Sequence, residues 1–274
     1  QGDPLSPYLF LLCTEGLHGL LATAAASGEI RGISICRGGP RLTHLFFADD
    51  SLLFYRVSVQ ECMHIQDLLS TYEDASGQKL NRDKTTLFFS KNTDRGIHDS
   101  IIDLLGVPEV KQYEKYLGLP SFVGRNKKAS LAFIIDRIWK KLQGWKEKIL
   151  SQVGREVLLK AVVKVIPTYS MSCFKLPITL FHEIEAMIRK FWWGQRGTRR
   201  RIHWVKWSKM CRPKSLGGMD FWELQKFNDA MLGKQIWRLL QNQDSLFFKF
   251  LKTKFFPHGT IFDVKENKGS FAWR

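Results

Sequence analysis

The chain has 274 residues, 44% hydrophobic and 25% charged, a balance that excludes a disordered or collagen-like polymer. Lys and Arg outnumber Asp and Glu by 42 to 26, for a formal net charge of +16, which points towards an acidic partner. The five cysteines, odd in number and without a C-x-x-C pair, exclude a disulfide framework and offer no zinc-site spacing, so a reducing, intracellular setting is expected.

The segment QGDPLSPYLF begins with turn chemistry at Gly2 and Pro4 and becomes helical where Leu9, Leu12, Leu17, Leu20 and Leu21 recur at helical spacing. The most apolar stretch, Tyr8 to Ala26, is interrupted by Glu15 and His18 and predicts a core helix, with no membrane partner. The start at Gln1, with no basic leader, predicts a fragment that is not secreted. Residues 33–36 predict a short strand, followed by a turn at Gly38-Gly39-Pro40. Two apolar runs, Leu42–Phe47 and Leu52–Tyr55, flank Ala48-Asp49-Asp50-Ser51, which predicts a β-hairpin with both carboxylates at its tip. Residues 59–75 predict a helix with Ile65, Leu68, Leu69 and Tyr72 on one face, and a strand is expected at Thr86–Phe89. KYLGLPSF, residues 115–122, predicts a strand pair or a bend.

Beyond residue 124 the character changes. Residues 1–124 hold 11 Lys and Arg against 15 Asp and Glu, a net −4, whereas residues 125–274 hold 31 against 11, a net +20. All nine tryptophans also lie in this second part. Leu131, Ile134, Ile135, Ile138, Leu142, Trp145 and Ile149 define an amphipathic helix with Arg137, Lys141 and Lys148 on another face. Ser151 suits the N-cap of a second helix, with Val157, Leu158, Ala161, Val162 and Val165 inward, Lys160 and Lys164 outward, and Pro167 closing it. The remainder is expected to be mainly helical, broken at RGTRRR and SLGGMD, with its tryptophans in the core rather than serving as stacking platforms.

Adjacent carboxylates repel each other and are costly near apolar surface unless a cation compensates them. A hairpin tip lifts Asp49 and Asp50 out of the sheet, where hard ions such as Mg²⁺ take oxygen ligands and keep positions open for phosphates. An exposed turn is the plain alternative, since Asp is common in turns.

FADD at Phe47–Asp50, preceded by QGDPLSP at Gln1–Pro7, resembles the reverse transcriptases of non-LTR (LINE-type) retrotransposons, particularly plant elements. SGQKLNRDKT at Ser76–Thr85, KYLGLP at Lys115–Pro120, the segment at 144–177, FWWGQ and WVKWSKMCRPKSLGGMDF match that family in order, covering nearly the whole chain. The resemblance implies an α+β fold: a partial palm over 1–124 (antiparallel sheet with helices), a helical thumb over 125–180, and a mainly helical, basic connecting segment over 181–274 leading to a truncated zinc-binding region. It implies Asp49 and Asp50 as catalytic ligands of Mg²⁺, with a third aspartate expected upstream of Gln1. Phe47 and Ala48 would lie beside the incoming nucleotide or primer end, and Gln1, Gly2, Ser6 and Pro7 would position template and nucleotide. Lys84 would sit near the triphosphate, Leu117 and Gly118 would grip the primer, and Arg137, Lys141, Lys148, Lys160 and Lys164 would track the nucleic-acid backbone. The implied partners are an RNA template, a DNA primer and deoxynucleoside triphosphates, in the nucleus or cytoplasm, with no zinc and no ribonuclease H constellation expected in the fragment. The expected function is a fragment of an RNA-directed DNA polymerase, inactive alone. The alternatives are a non-catalytic nucleic-acid-binding remnant and, with less support, a group II intron maturase fragment.

Overall fold

The computed structural model describes residues 3–34, 36–110, 116–120, 127–146, 150–194 and 202–263. The fold is α+β, mostly helical with two small antiparallel sheets. Its described residues form two compact units, one within Gln1–Tyr113 and Lys249–His258, the other within Glu114–Phe248 and Gly259–Arg274.

The first unit begins with α1, Ser6–Ser27, which Gly28 ends in the left-handed conformation (φ 84°) that glycine adopts without steric cost. Two strand pairs come next: β1 (Ile33–Ser34) with β2 (Arg41–Leu42), and β3 (His44–Phe47) with β4 (Asp50–Leu53). The expected single run Leu42–Phe47 is thus split between two sheets at Thr43. Helix α2, Val59–Ser76, starts on a Ser58 side chain that accepts the Glu61 backbone N–H. The Glu61 carboxylate accepts the Arg56 backbone N–H at 2.9 Å, which is why an acid can be 7% exposed here. Helix α3, Arg95–Leu105, is capped by Asp94. The core gathers Leu17, Leu21 and Ala24 of α1 with Ile30 and Ile65, and Phe46, Leu53, Tyr55, Leu68, Leu69 and Tyr72 pack around them.

Two expectations fail in this unit. Thr86–Phe89 is not a strand: only Leu87 bridges, in parallel with Glu109, so the polar loop before it closes one rung and no ladder. Helix α1 is not a core helix along its length. Leu17, Leu21 and Ala24 are buried, but Leu5 just before it and Tyr8, Leu9, Leu11 and Leu12 within it are exposed. With 22 residues and a mean hydropathy of 1.5 over its most apolar stretch, it is long and apolar enough to cross a membrane by length and composition.

The second unit is helical: α4 (Lys127–Lys146), α5 (Gln152–Leu158), a π-helical turn at Leu159–Val163, α6 (Thr168–Cys173), α7 (Ile178–Trp192), α8 (Trp207–Met210) and α9 (Leu224–Gln241). A further helix, α10, covers Leu246–Phe255, of which Lys249 onward belongs to the first unit. Helix α4 packs on α7, burying Leu131, Ile134, Ile138 and Leu142 against Leu180, Ile184 and Ile188 in one core that extends to Phe221 and Leu224. This is the expected periodicity. Helix α6 is fastened to α9 by Asn228, 1% exposed, whose Oδ1 accepts the Leu176 N–H and whose Nδ2 donates to the Met171 and Phe174 carbonyls.

The helix after Ser151 is capped as expected, with the Ser151 hydroxyl accepting the Gly154 N–H at 3.2 Å, but its faces are inverted. Val153, Val157 and Val165 are exposed, while Leu159 and Val163 are buried and Lys164 is only 6% exposed. The π turn inserts an extra residue into the helical repeat and rotates the residues after it, so a uniform 3.6-residue period misplaces Lys164.

Candidate functional site

The apolar runs around Asp49 and Asp50 are explained by the hairpin they form. Strands β3 and β4 pair in the register His44↔Leu53, Leu45↔Leu52, Phe46↔Ser51 and Phe47↔Asp50, which leaves only Ala48 and Asp49 at the tip. The connection is therefore two residues rather than the expected four, and Asp50 is the first residue of a strand. Ala48 has φ 49°, left-handed for a residue with a Cβ, the backbone sign that two-residue hairpins require at their first central position.

One side of the hairpin is anchored. Phe46 and Leu53 pack on the core supplied by α1 and α2. His18 Nδ1 lies 2.7 Å from His44 Nε2, so one ring donates to the other, and Thr43 Oγ1 lies 2.9 Å from His44 Nδ1. Burial, with the second imidazole beside it, holds His44 below the ordinary histidine range. The tip is free: Phe47 is 58% exposed, and Ala48, Asp49 and Asp50 are exposed.

Two adjacent, accessible carboxylates form an oxygen-only donor set that suits a hard divalent cation. Among the described residues, no group of three His, Cys, Asp or Glu side chains converges on a metal position.

The other residues singled out in the sequence are dispersed. Ser6 and Pro7 are exposed at the start of α1, and Gln1 and Gly2 lie outside the described residues. Lys84 is exposed in a turn in which its backbone N–H donates to Asn81. Leu117 (φ 50°) and Gly118 (φ 77°) form a tight turn closed by Tyr116 and Leu119, each of which donates its N–H to the other's carbonyl. Two successive positive φ values identify the type I′ geometry, so of the two expectations, a strand pair or a bend, the chain takes the tight bend, with one bridge across it.

On α4, Arg137 and Lys141 are exposed, together with Lys140. Lys148 lies outside the described residues, as do Arg199, Arg200 and Arg201. Lys160 is half-buried and donates to Glu156 at 2.8 Å; Glu156 also takes Lys214 at 2.9 Å, and these bonds hold its carboxyl below the usual range. Lys164 corrects the outward assignment most clearly. Its Nζ donates to the Asp220 carbonyl at 3.0 Å and lies 4.3 Å from the centre of the Trp222 ring. Burial, then the charge of Lys160, lowers its pKa to about 8.

Sequence reasoning missed the His18–His44 pair and the tertiary roles of Glu156 and Asn228. Their partners lie 26 to 58 residues away, except Lys160, so no local spacing marks them.

No protein-family model matches the chain. It is 35% identical over 160 residues, 57% of its own length, to an Arabidopsis thaliana protein, At1g65750, whose name carries a provisional assignment as a ribonuclease H protein. It spans only 26% of that relative. It is 35% identical over 111 residues to the uncharacterized mitochondrial protein AtMg00310 of the same plant, covering 40% of this chain and 72% of that one. It is 57% identical over 51 residues to the uncharacterized mitochondrial protein AtMg01250, covering 19% of this chain and 42% of that protein.

Proposed function

The chain belongs to the same family as the uncharacterized mitochondrial protein AtMg00310 of Arabidopsis thaliana, and from that premise we propose that it is a retroelement fragment, part of a LINE-type reverse transcriptase. The observation that carries this is the Phe47–Asp50 hairpin, whose anchored strands present two accessible carboxylates, Asp49 on the two-residue tip and Asp50 at the start of the strand that follows it. Similarity to a protein named for ribonuclease H, an activity directed at nucleic acid, supports the same class of partner.

In the full reading frame, residues 1–124 would serve as the latter palm, 125–180 as the thumb and 181–274 as the connecting segment. Asp49 and Asp50 would hold Mg²⁺, which when bound neutralises phosphate charge and orients the reacting oxygens. The exposed Phe47 ring offers a flat apolar surface beside the tip for a base or sugar, and Lys84 offers a cation to a triphosphate. Leu117-Gly118 offers a narrow, rigid turn for a primer backbone. RNA template, DNA primer and deoxynucleoside triphosphates are the proposed ligands, inside the cell.

Primer extension on an RNA template is the test. The protein in its full reading frame should incorporate nucleotides only with Mg²⁺, and Asp49→Asn should lower incorporation by at least about 100-fold, the scale of loss when a directly acting electrostatic group is removed. The 274-residue chain alone should incorporate nothing, because among the described residues no third donor joins the two carboxylates. Incorporation that survives Asp49→Asn would overturn the assignment.

A second function, non-catalytic binding of nucleic acid, is favoured by the exposed Arg137, Lys140 and Lys141 on α4. Salt-sensitive duplex binding that is unchanged by Asp49→Asn without metal would support it.

A further inference from the structure

The second unit contains an opening of about 390 Å³ lined by Gln152, Arg155, Trp192, Trp193, Ile202 and Trp204. None of these residues belongs to the hairpin chemistry. Trp204 is 76% exposed and Ile202 68% exposed, so the expectation that the tryptophans fill the core fails at Trp204, as it does at Trp237 on α9. Trp193 stacks on His203 with ring centres 6.1 Å apart and planes 17° apart. Its indole N–H is buried with no acceptor among the described residues, a costly state unless something else accepts it.

Arg155 is held in place by the backbone. One Nη donates to the Trp192 carbonyl at 3.2 Å. A Cβ at position 194 would lie 2.9 Å from the Arg155 guanidinium, and the backbone there has φ 68°, so glycine at 194 both permits the turn and keeps the space in which the guanidinium sits. That bond uses one of five donors, leaving the rest of a planar cation for other acceptors.

We propose that this opening receives one unpaired base of a single-stranded nucleic acid. Trp204 provides the stacking face, and the Arg155 guanidinium faces the adjoining phosphate. Each component has a physical match: a π-face for a flat base and a fork of donors for phosphate oxygens. The net +20 of residues 125–274 favours a polyanion over a peptide at this mouth. The assignment is independent of Asp49 and Asp50, which lie in the other unit.

The test uses the 274-residue chain and fluorescence anisotropy of a labelled single strand of about 12 nucleotides and a blunt duplex of equal length, at one fixed salt concentration. Trp204→Ala should weaken single-strand binding by about 5- to 150-fold, the range for loss of one aromatic–base stack, and Trp204→Phe should restore most of it. Duplex affinity should change by less than about two-fold, because a paired base cannot enter. Trp237→Ala, which removes another exposed indole (63%) from α9, should leave both affinities unchanged. Trp204 is largely exposed, so its replacement should leave the thermal midpoint in place, and a matched midpoint certifies the comparison. Unchanged single-strand affinity in Trp204→Ala would overturn the proposal. So would an equal loss for strand and duplex, or a loss seen only for an acidic, aromatic peptide, which would assign the opening to a protein partner.

Discussion

At the scale of single residues, Lys164 shows how burial rewrites a side chain's chemistry. A lysine in the interior keeps its charge only if acceptors replace water, and here the Asp220 carbonyl and the Trp222 face do so incompletely. Burial, with the charge of Lys160 beside it, outweighs the opposing pull of Asp220, Cys211 and Glu156, and its pKa falls to about 8 from 10.5. Between those values the unfolded chain binds more protons than the folded one, so this group makes stability rise as pH increases from about 8 to about 10.5. Lys164→Met should remove that rise, on the order of 1–3 kcal/mol, leaving a flatter pH dependence than the parent in paired urea titrations. A parent and variant with identical profiles would show that Lys164 stays solvated.

Ala48 is the other residue whose backbone is informative. Its positive φ costs an L-residue about 1–2 kcal/mol, more than glycine's extra unfolded-state entropy of about 0.4–1 kcal/mol. Ala48→Gly should therefore stabilise the chain by up to about 1 kcal/mol, the opposite sign to Ala230→Gly on an exposed position of α9. Chemical denaturation of the two variants side by side checks the sign.

At the scale of elements, the informative contrast lies between α4 and the helix after Ser151. Helix α4 keeps a constant period, so Leu131, Ile134, Ile138 and Leu142 are buried and Arg137 and Lys141 are exposed, as their spacing predicts. The next helix contains the π turn, and just beyond it Lys164 is buried while Val165 is exposed. Helix α6 has only six residues and depends on tertiary attachment, which Asn228 supplies from 52 to 57 residues away. Asn228→Ala should remove the partner of the buried Leu176 N–H and the amide donor to the Met171 carbonyl and cost about 2–4 kcal/mol, measured as a loss of unfolding free energy at constant m-value. A cost under about 0.5 kcal/mol would mean that water replaces the amide.

At the scale of the whole molecule, charge is the property that reaches furthest. A net +20 over residues 125–274, with Arg137 and Lys141 on an open helix face, should produce duplex binding that weakens steeply with salt. Arg137→Gln and Lys141→Gln should each lower the slope of log affinity against log salt by about 0.9, if each neutralises one phosphate. An unchanged slope would place the duplex elsewhere on the surface.

The sequence by itself determined the features that depend on neighbours along the chain. The 3.6-residue period of α4, the Ser58 and Ser151 caps, and a hairpin around Phe47–Asp50 are set by residues within a few positions of one another. Tertiary structure decided which faces are covered. It exposed the first half of α1, turned Lys164 under Trp222, paired His18 with His44 and opened the space beside Trp204. Burial depends on contacts between residues far apart in the chain, and no local period encodes them.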